Sequence, residues 1–344
     1  MRSRVFSVIK EILRVIGRIG LLRETWLICS RYLLCNWDLP QRWRNMIVWE
    51  LATYVFGYDY HTTVQLSTGL RFNVGIDDNV NRALLLCSPW KDYIWEPQTL
   101  RLALRLQPPD GTTIVAGGHI GYDALHLAQA MRGHGGRVVV FEPVAAQFER
   151  LLQNQELSHI ENMVVERIAI SDCNKAEVTL YLDGPRSSID LSHDAVSGQR
   201  VEKVRAVSLD SYAAEHDLGK VSMLFLDVEG SELKVLSGAE EILSRQPDLI
   251  LEVNRPNIRS LGLAPDDLYS FLFTRGYHLF WIVDDYFFTL RKFANTEIVL
   301  HPIRTYDPNF EARLTIFNML ATCRPETLVQ EGIKVLWERP IGVQ

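Results

Sequence analysis

The stretch TTIVAGGHIGYDALHLAQAMRGHGGRVVVFEP, Thr112 to Pro143, decides the fold. Thr112–Ala116 is β-branched and apolar, which predicts a strand. Gly117, Gly118, His119, Ile120 and Gly121 follow as a turn in which glycine lets a ligand approach the backbone. A helix comes next, with apolar residues at Ala124, Leu125, Leu127, Ala128 and Met131, and it stops at the glycines from Gly133 to Gly136. Arg137–Phe141 is a second strand, closed by Glu142. A carboxylate about twenty residues beyond a glycine turn can accept hydrogen bonds from a ribose diol. The pattern is half of a nucleotide-cofactor site.

Downstream, strands and helices keep alternating. A helix is expected over Ala145–Leu157, strands over Met163–Ile168, Ala176–Leu182 and Val201–Val207, and a short helix over Asp210–His216. Val221–Leu226 and Asp248–Val253 read as buried strands, with a helix between them running on to Ser244. Pro265–Arg275 is helical, and Tyr277–Val283, Thr296–Leu300 and Leu314–Leu320 form a tail of strands. Such alternation predicts an α/β fold with a mostly parallel sheet covered on both faces. Ligands then sit at the carboxyl ends of the strands. Glu142, Asp227 and Glu252 all stand at or just past such ends. Each alone reads as a cap or a solvated charge, but three beside a glycine turn point to a working site.

Upstream, residues 1–36 carry seven basic residues against Glu11 and Glu24, with apolar residues near helical spacing between them. This predicts a basic amphipathic helix, either packed on the body or a second subunit or lying on a membrane surface. Charges interrupt it too often for a membrane span, and it has no signal-peptide core. Trp37 to Tyr60 stays aromatic and helical, Thr62–Val74 reads as a β-hairpin, Asp77–Leu86 as a short helix and Pro89–Pro97 as a turn into another helix.

The 344 residues, 47% hydrophobic and 23% charged, suit one large domain with an appendage. The net charge of −6 argues against broad nucleic-acid binding. Five scattered cysteines without metal or redox spacing suit a reducing cytoplasm.

The ordered set VVVFEP, LFLDVEGSELKVLSGAEEIL and PDLILEVN resembles the FkbM-type family of S-adenosylmethionine-dependent methyltransferases. AISD at Ala169–Asp172, RSS at Arg186–Ser188 and SLDSY at Ser208–Tyr212 add to it, and the likeness runs from about Asn73 to Leu320. The resemblance implies a class I methyltransferase fold, a Rossmann-like sheet of seven strands, parallel except for one late strand. It partitions the chain into a helical extension (1–60), a lead-in (61–110), the methyltransferase domain (111–325) and a tail (326–344). It implies that Gly117, Gly118, His119 and Gly121 line the methionine end of S-adenosyl-L-methionine, that Glu142 holds the ribose and that Ala169 lies near the adenine. Asp227 would face the sulfonium. The acceptor would be a hydroxyl of a small molecule such as a sugar or polyketide. Asp227, Glu229 and Glu252 are then the candidate bases, and Asp227, Glu252 and Asn254 an alternative hard-cation site.

Three positions depart from the family pattern. An acid gives way to Val115, an asparagine to His119 and a lysine to Phe225. Two other readings remain open at this point. One is a methyltransferase-fold protein that binds without catalysing. The other is a nicotinamide oxidoreductase, with Ala116–Gly121 as a degenerate dinucleotide turn.

Overall fold

The computed structural model of the chain describes residues 2–36, 43, 46–57, 59–87, 95–183, 186–189, 200–284, 297–304 and 315–336. Its contacts fall into two units, residues 1–97 with 285–296 and residues 98–284 with 297–344. The second unit thus begins at Gln98 and takes in the helix that the sequence assigned to the lead-in.

The first unit opens with helices α1 (Arg2–Arg18) and α2 (Gly20–Asn36), so the single helix expected over residues 1–36 is two, parted at Ile19. A π-helical turn (Met46–Leu51) leads into α3 (Ala52–Phe56). Gly17 lets α1 close on α3, because a Cβ there would stand 1.9 Å from the Val55 carbonyl oxygen. Strands β1 (Thr62–Gln65) and β2 (Arg71–Val74) pair antiparallel from Thr62↔Val74 to Gln65↔Arg71, the hairpin read from the alternation. Helix α4 (Asn79–Cys87) follows, and Arg31 of α2 donates from Nε and Nη2 to its Leu85 carbonyl at 2.9 and 2.8 Å. No described helix is long and apolar enough to cross a membrane.

The second unit starts with α5 (Pro97–Leu106) and runs β3 (Thr112–Ala116), α6 (Tyr122–Met131), β4 (Arg137–Phe141), α7 (Ala145–Leu157) and β5 (Met163–Glu166). Strands β6 (Ala169–Ile170), β7 (Lys175–Asp183), β8 (Arg186–Ile189) and β9 (Arg200–Val207) then form a separate sheet in the order β6-β9-β7-β8. The strand expected over Met163–Ile168 therefore stops at Glu166, and Ala169–Ile170 just beyond it pairs in the second sheet. Next come α8 (Leu209–Glu215), β10 (Val221–Leu226), α9 (Glu232–Ser237), α10 (Glu240–Leu243) and β11 (Asp248–Asn254). The helix read through to Ser244 breaks at Gly238, where a Cβ would meet the Ser171 carbonyl oxygen at 2.4 Å. The chain closes with α11 (Arg255–Ser260), α12 (Pro265–Thr274), β12 (His278–Ile282), β13 (Val299–Ile303), β14 (Ile316–Thr322), α13 (Pro325–Gln330) and β15 (Lys334–Val335).

The main sheet has nine strands in the order β15-β13-β12-β14-β11-β10-β3-β4-β5. Strands β5, β4, β3, β10 and β11 are parallel neighbours, and β14 slots antiparallel between β11 and β12. Chain order reverses at β3, next to β10, and this makes a switch-point crevice at the strand ends. The parallel set with one inserted antiparallel strand is the class I methyltransferase arrangement. Two edge strands, β13 and β15, bring the count to nine instead of the seven expected. Every residue of β3 and β10 is buried, as a sheet covered on both faces requires. Alternate residues Ile114, Leu224, Leu226, Leu249 and Leu251 share one core with Leu236 of α9 and Leu272 of α12. Each fully buried leucine contributes about 2 kcal/mol by area removed from water.

Trp37, most of Pro89–Pro97, and the polar stretch Gly184–Gln199 apart from β8, with His193 and Asp194, lie outside the described residues.

Candidate active site

The glycine turn is tied to both neighbouring strands. Gly117 and Gly118 donate from their amides to the Phe141 carbonyl at 2.9 and 3.1 Å, and the Asp227 amide donates to the Ala116 carbonyl at 2.9 Å. Gly117 has φ +86, and a Cβ on it would fall 1.8 Å from the Asp227 carbonyl oxygen. A Cβ on Gly118 would meet Val140 Cγ1 at 2.3 Å, and one on Gly121, with φ +88, would meet Leu151 Cγ at 3.2 Å. The three glycines are thus needed for the turn to pack against its own chain. Sequence reasoning saw in them only a ligand's approach.

His119 sits at φ +47, a left-handed conformation unusual for a side chain. Its amide donates to Glu142 Oε2 at 2.7 Å, while the Val144 amide donates to Glu142 Oε1 at 2.8 Å. Glu142 is buried and its carboxyl is pushed up to about 7, chiefly by burial and against the pull of those two amides and His119. A carboxylate offers about four lone-pair positions, so two remain for other donors. Ala169 packs in a different apolar cluster, with Val144, Val178 and Leu180. It does not join the acids.

Asp227, Glu229 and Glu252 each present an oxygen, and these lie within 4.8 Å of one another. The Asp227 and Glu252 carboxyls thus stand close enough for a proton shared between them to relieve their repulsion. Burial raises the Asp227 carboxyl above its ordinary range, while the Glu252 bond and His119 draw it back. Asp227 is exposed at the surface, whereas Glu229 and Glu252 are half-buried. Glu229, at φ +51, accepts at Oε2 from Asn254 Nδ2 (3.1 Å) and Asn257 Nδ2 (2.7 Å). Asn254 spends its amide oxygen on the Asn257 amide at 3.3 Å, capping α11. Its expected place in a cation's oxygen shell is corrected accordingly: it orients Glu229.

Three acids escaped the sequence reading. Asp123, in the first turn of α6, is pushed up to about 7 by burial first, then by Asp227 and Asp284, with His119 opposing. Its signal was its place one turn after the glycines. Glu232 is fully buried and pushed up to about 8. Its Oε1 accepts from the Gly230 amide at 3.1 Å and the Val228 amide at 3.3 Å, and this clamps the loop that carries Asp227 and Glu229. The run Asp227-x-Glu-Gly-x-Glu232 contained it, unassigned. Asp284 accepts from the Thr99 amide at 2.9 Å and the Gln98 amide at 3.3 Å, so it caps α5. No local signal links residues so far apart in sequence.

Two of the three departures from the family pattern are neighbours. Val115 on β3 is in register with Phe225 on β10 and with Val140 on β4. Both Val115 and Phe225 are buried, so an apolar pair stands where the family resemblance implies an acid and a lysine.

A family model described as the Methyltransferase FkbM domain matches residues 116–279. The chain carries an FkbM methyltransferase domain. The matched span runs from the end of β3 into β12, so this FkbM domain holds every acid described here except Asp284. The nicotinamide reading of Ala116–Gly121 gives way to methyl transfer. No curated protein matches the chain. Among solved structures, methyltransferase FkbM from Methylobacillus flagellatus KT is similar at 14% identity, over 73% of this chain and 54% of that one, with a TM-score of 0.34. An O-methyltransferase from Bacillus cereus in complex with SAH is similar at 12% identity, over 65% and 79%, with a TM-score of 0.35. Precorrin-6y C5,15-methyltransferase from Geobacter metallireducens GS-15 is similar at 12% identity, over 65% and 85%, with a TM-score of 0.34.

Proposed function

We propose that the protein is an S-adenosylmethionine-dependent O-methyltransferase acting in the cytoplasm on a hydroxyl of a small molecule, such as a sugar or a polyketide. The observation that carries this reading is the pairing of the Asp227 and Glu252 carboxyls, with oxygens within 4.8 Å of each other, beside the glycine turn at the switch point. The donor set suits the cofactor. Glu142 keeps lone pairs for a ribose diol, and Asp123, Asp227 and Glu252 surround a place where positive charge is favourable. The turn Gly117, Gly118, His119 and Gly121 supports the methionine end, and Ala169 lies toward the adenine. S-adenosylmethionine supplies, when bound, a methyl group on an electrophilic sulfonium.

The protein's own part is positioning and proton transfer. An Asp227–Glu252 pair that shares one proton retains one basic carboxylate. That carboxylate accepts the acceptor's hydroxyl proton as the new oxygen–carbon bond forms and the carbon–sulfur bond breaks. The proton then leaves to water. Glu229 stands third in this group, oriented by Asn254 and Asn257. A second reading is favoured by the 4.8 Å grouping of Asp227, Glu229 and Glu252, which also suits a divalent cation that would stabilise the alkoxide.

Calorimetry with S-adenosylmethionine and its demethylated product, followed by labelled-methyl transfer to a hydroxylated library, tests the proposal. Glu252→Gln should keep cofactor affinity within about tenfold and lower transfer by about 10²- to 10⁴-fold. Binding without transfer by the unaltered protein identifies a silent binder, and no binding at millimolar cofactor sinks the reading. Loss of transfer in EDTA, restored by magnesium, selects the cation.

A further inference from the structure

The face of α1 turned away from α3 is apolar and open. Val8, Ile12 and Val15 are 59, 53 and 52% exposed and follow one another at helical spacing along a single stripe, and Ile19, Leu21 and Leu22 are exposed just past the end of α1. The opposite side of α1 is engaged within the unit. Leu13 is buried, Gly17 abuts Val55, and Lys10 and Arg14 stand over the Tyr54 ring at 4.9 and 5.6 Å. The helix is therefore already docked, and its outward stripe has no packing duty toward α3. Nine of the fourteen large hydrophobic side chains exposed among the described residues lie between Val8 and Tyr32.

Charge indicates what meets that stripe. Residues 1–36 carry a net charge of +5, whereas the whole chain carries −6. A symmetric dimer through this face would bring two such segments together and set like charge against like. A protein surface resembling the rest of this chain would pair basic groups but offer no apolar slab. An anionic lipid surface accepts both, because the stripe enters the acyl boundary and the exposed Arg18 at the end of α1 meets the headgroups. We propose that α1, with the start of α2, is a peripheral anchor that lies in the interface of an anionic membrane. This inference does not rest on the methyltransferase reading.

The full-length protein is sedimented with phosphatidylcholine vesicles with and without phosphatidylserine, at low and high salt, and its mass in solution is measured by light scattering. The expected result is binding to serine-containing vesicles that weakens at high salt, by a monomeric protein. The combined variant Val8→Ser, Ile12→Ser and Val15→Ser should lose binding on the order of a hundredfold with unchanged circular dichroism. Arg18→Glu alone should weaken it several-fold. Equal binding with and without phosphatidylserine, no binding to either, or a dimer that the triple variant dissolves would overturn the proposal.

Discussion

Gly117→Ala tests the joint between the glycine turn and the acid loop. Two costs add at this position. An L-residue at φ +86 costs about 1–2 kcal/mol in the left-handed region. The new Cβ would also lie 1.8 Å from the Asp227 carbonyl oxygen, so that oxygen must retreat by about 1.2 Å to reach the 3.0 Å floor of real contacts. Retreat is resisted because the Asp227 amide is bonded to Ala116 at 2.9 Å and Glu232 clamps the loop just beyond. Forced overpacking of this kind costs about 1–3 kcal/mol, and a clash with backbone belongs at the upper end. The sum is about 4 kcal/mol. Gly133→Ala is the control, since Gly133 has φ +80 and open space within 4 Å, and it meets the backbone cost alone, about 1 kcal/mol. Urea unfolding followed by circular dichroism should separate the two variants by about 3 kcal/mol. S-adenosylmethionine affinity should fall only for Gly117→Ala, because its clash moves Asp227. If both variants unfold at the same urea concentration and bind the cofactor alike, the packing role assigned to Gly117 is wrong.

Three further outcomes follow from the same geometry. Glu232 titrates at about 8 in the folded chain and near 4.5 when unfolded, so its contribution to stability is full below pH 4.5 and is lost as pH rises through 8. Glu232→Gln keeps an acceptor for the Gly230 and Val228 amides, so it should flatten that loss, gaining up to about 4 kcal/mol at pH 9 in denaturation curves; a slope identical to the parent's would refute the burial assigned to Glu232. Val115→Asp and Phe225→Lys should each destabilise by about 3–5 kcal/mol as buried unpaired charges. Together they should recover on the order of 2 kcal/mol through pairing across β3 and β10, and strict additivity in a double-mutant cycle would contradict the register. Asp284→Ala removes the acceptor for the Gln98 and Thr99 amides and should cost about 1 kcal/mol, whereas Asp284→Asn should recover most of it.

The elements most legible in the sequence are those that local chemistry determines. Thr112–Ala116, Arg137–Phe141, Ala145–Leu157 and Val221–Leu226 have the bounds their patterns predict, with Gly111, Gly117, Gly136, Glu142, Pro143 and Asp227 at or near their ends. The edges were harder. Val299–Ile303 and Lys334–Val335 add strands to the sheet through pairing with distant partners, which no local period encodes. Helix α11 is short and opens on Arg255-Pro256, which reads as a break until the Asn254 cap is seen. The site divides the same way. Glu142, Asp227 and Glu252 were found because strand ends expose acids, whereas Asp284 is tied to α5 by bonds spanning 186 residues. The glycines were located correctly but for an incomplete reason, since their close neighbours Asp227, Val140 and Leu151 belong to other elements.

The departures at Val115 and Phe225 look like two separate losses in sequence, an acid from the glycine turn's strand and a base from the acid loop's strand. Register makes them one change. An aspartate and a lysine facing each other on adjacent strands largely cancel in charge, and a buried pair of this kind contributes little net stability against its desolvation. An apolar pair in the same place contributes no charge either. The field at the switch point is then still set by Asp123, Glu142, Asp227 and Glu252, with His119 as the nearby group that lowers three of them. Removing one partner alone would have left the other as a buried charge beside the crevice. The apolar pair at these positions leaves the crevice acidic and joins the two strands by packing. The remaining departure, His119, is thus the one that alters the electrostatics of the site. Its amide holds Glu142 and its ring acts on Asp123, Glu142 and Asp227, so the position that looked least typical is the one through which the turn and the acids are coupled.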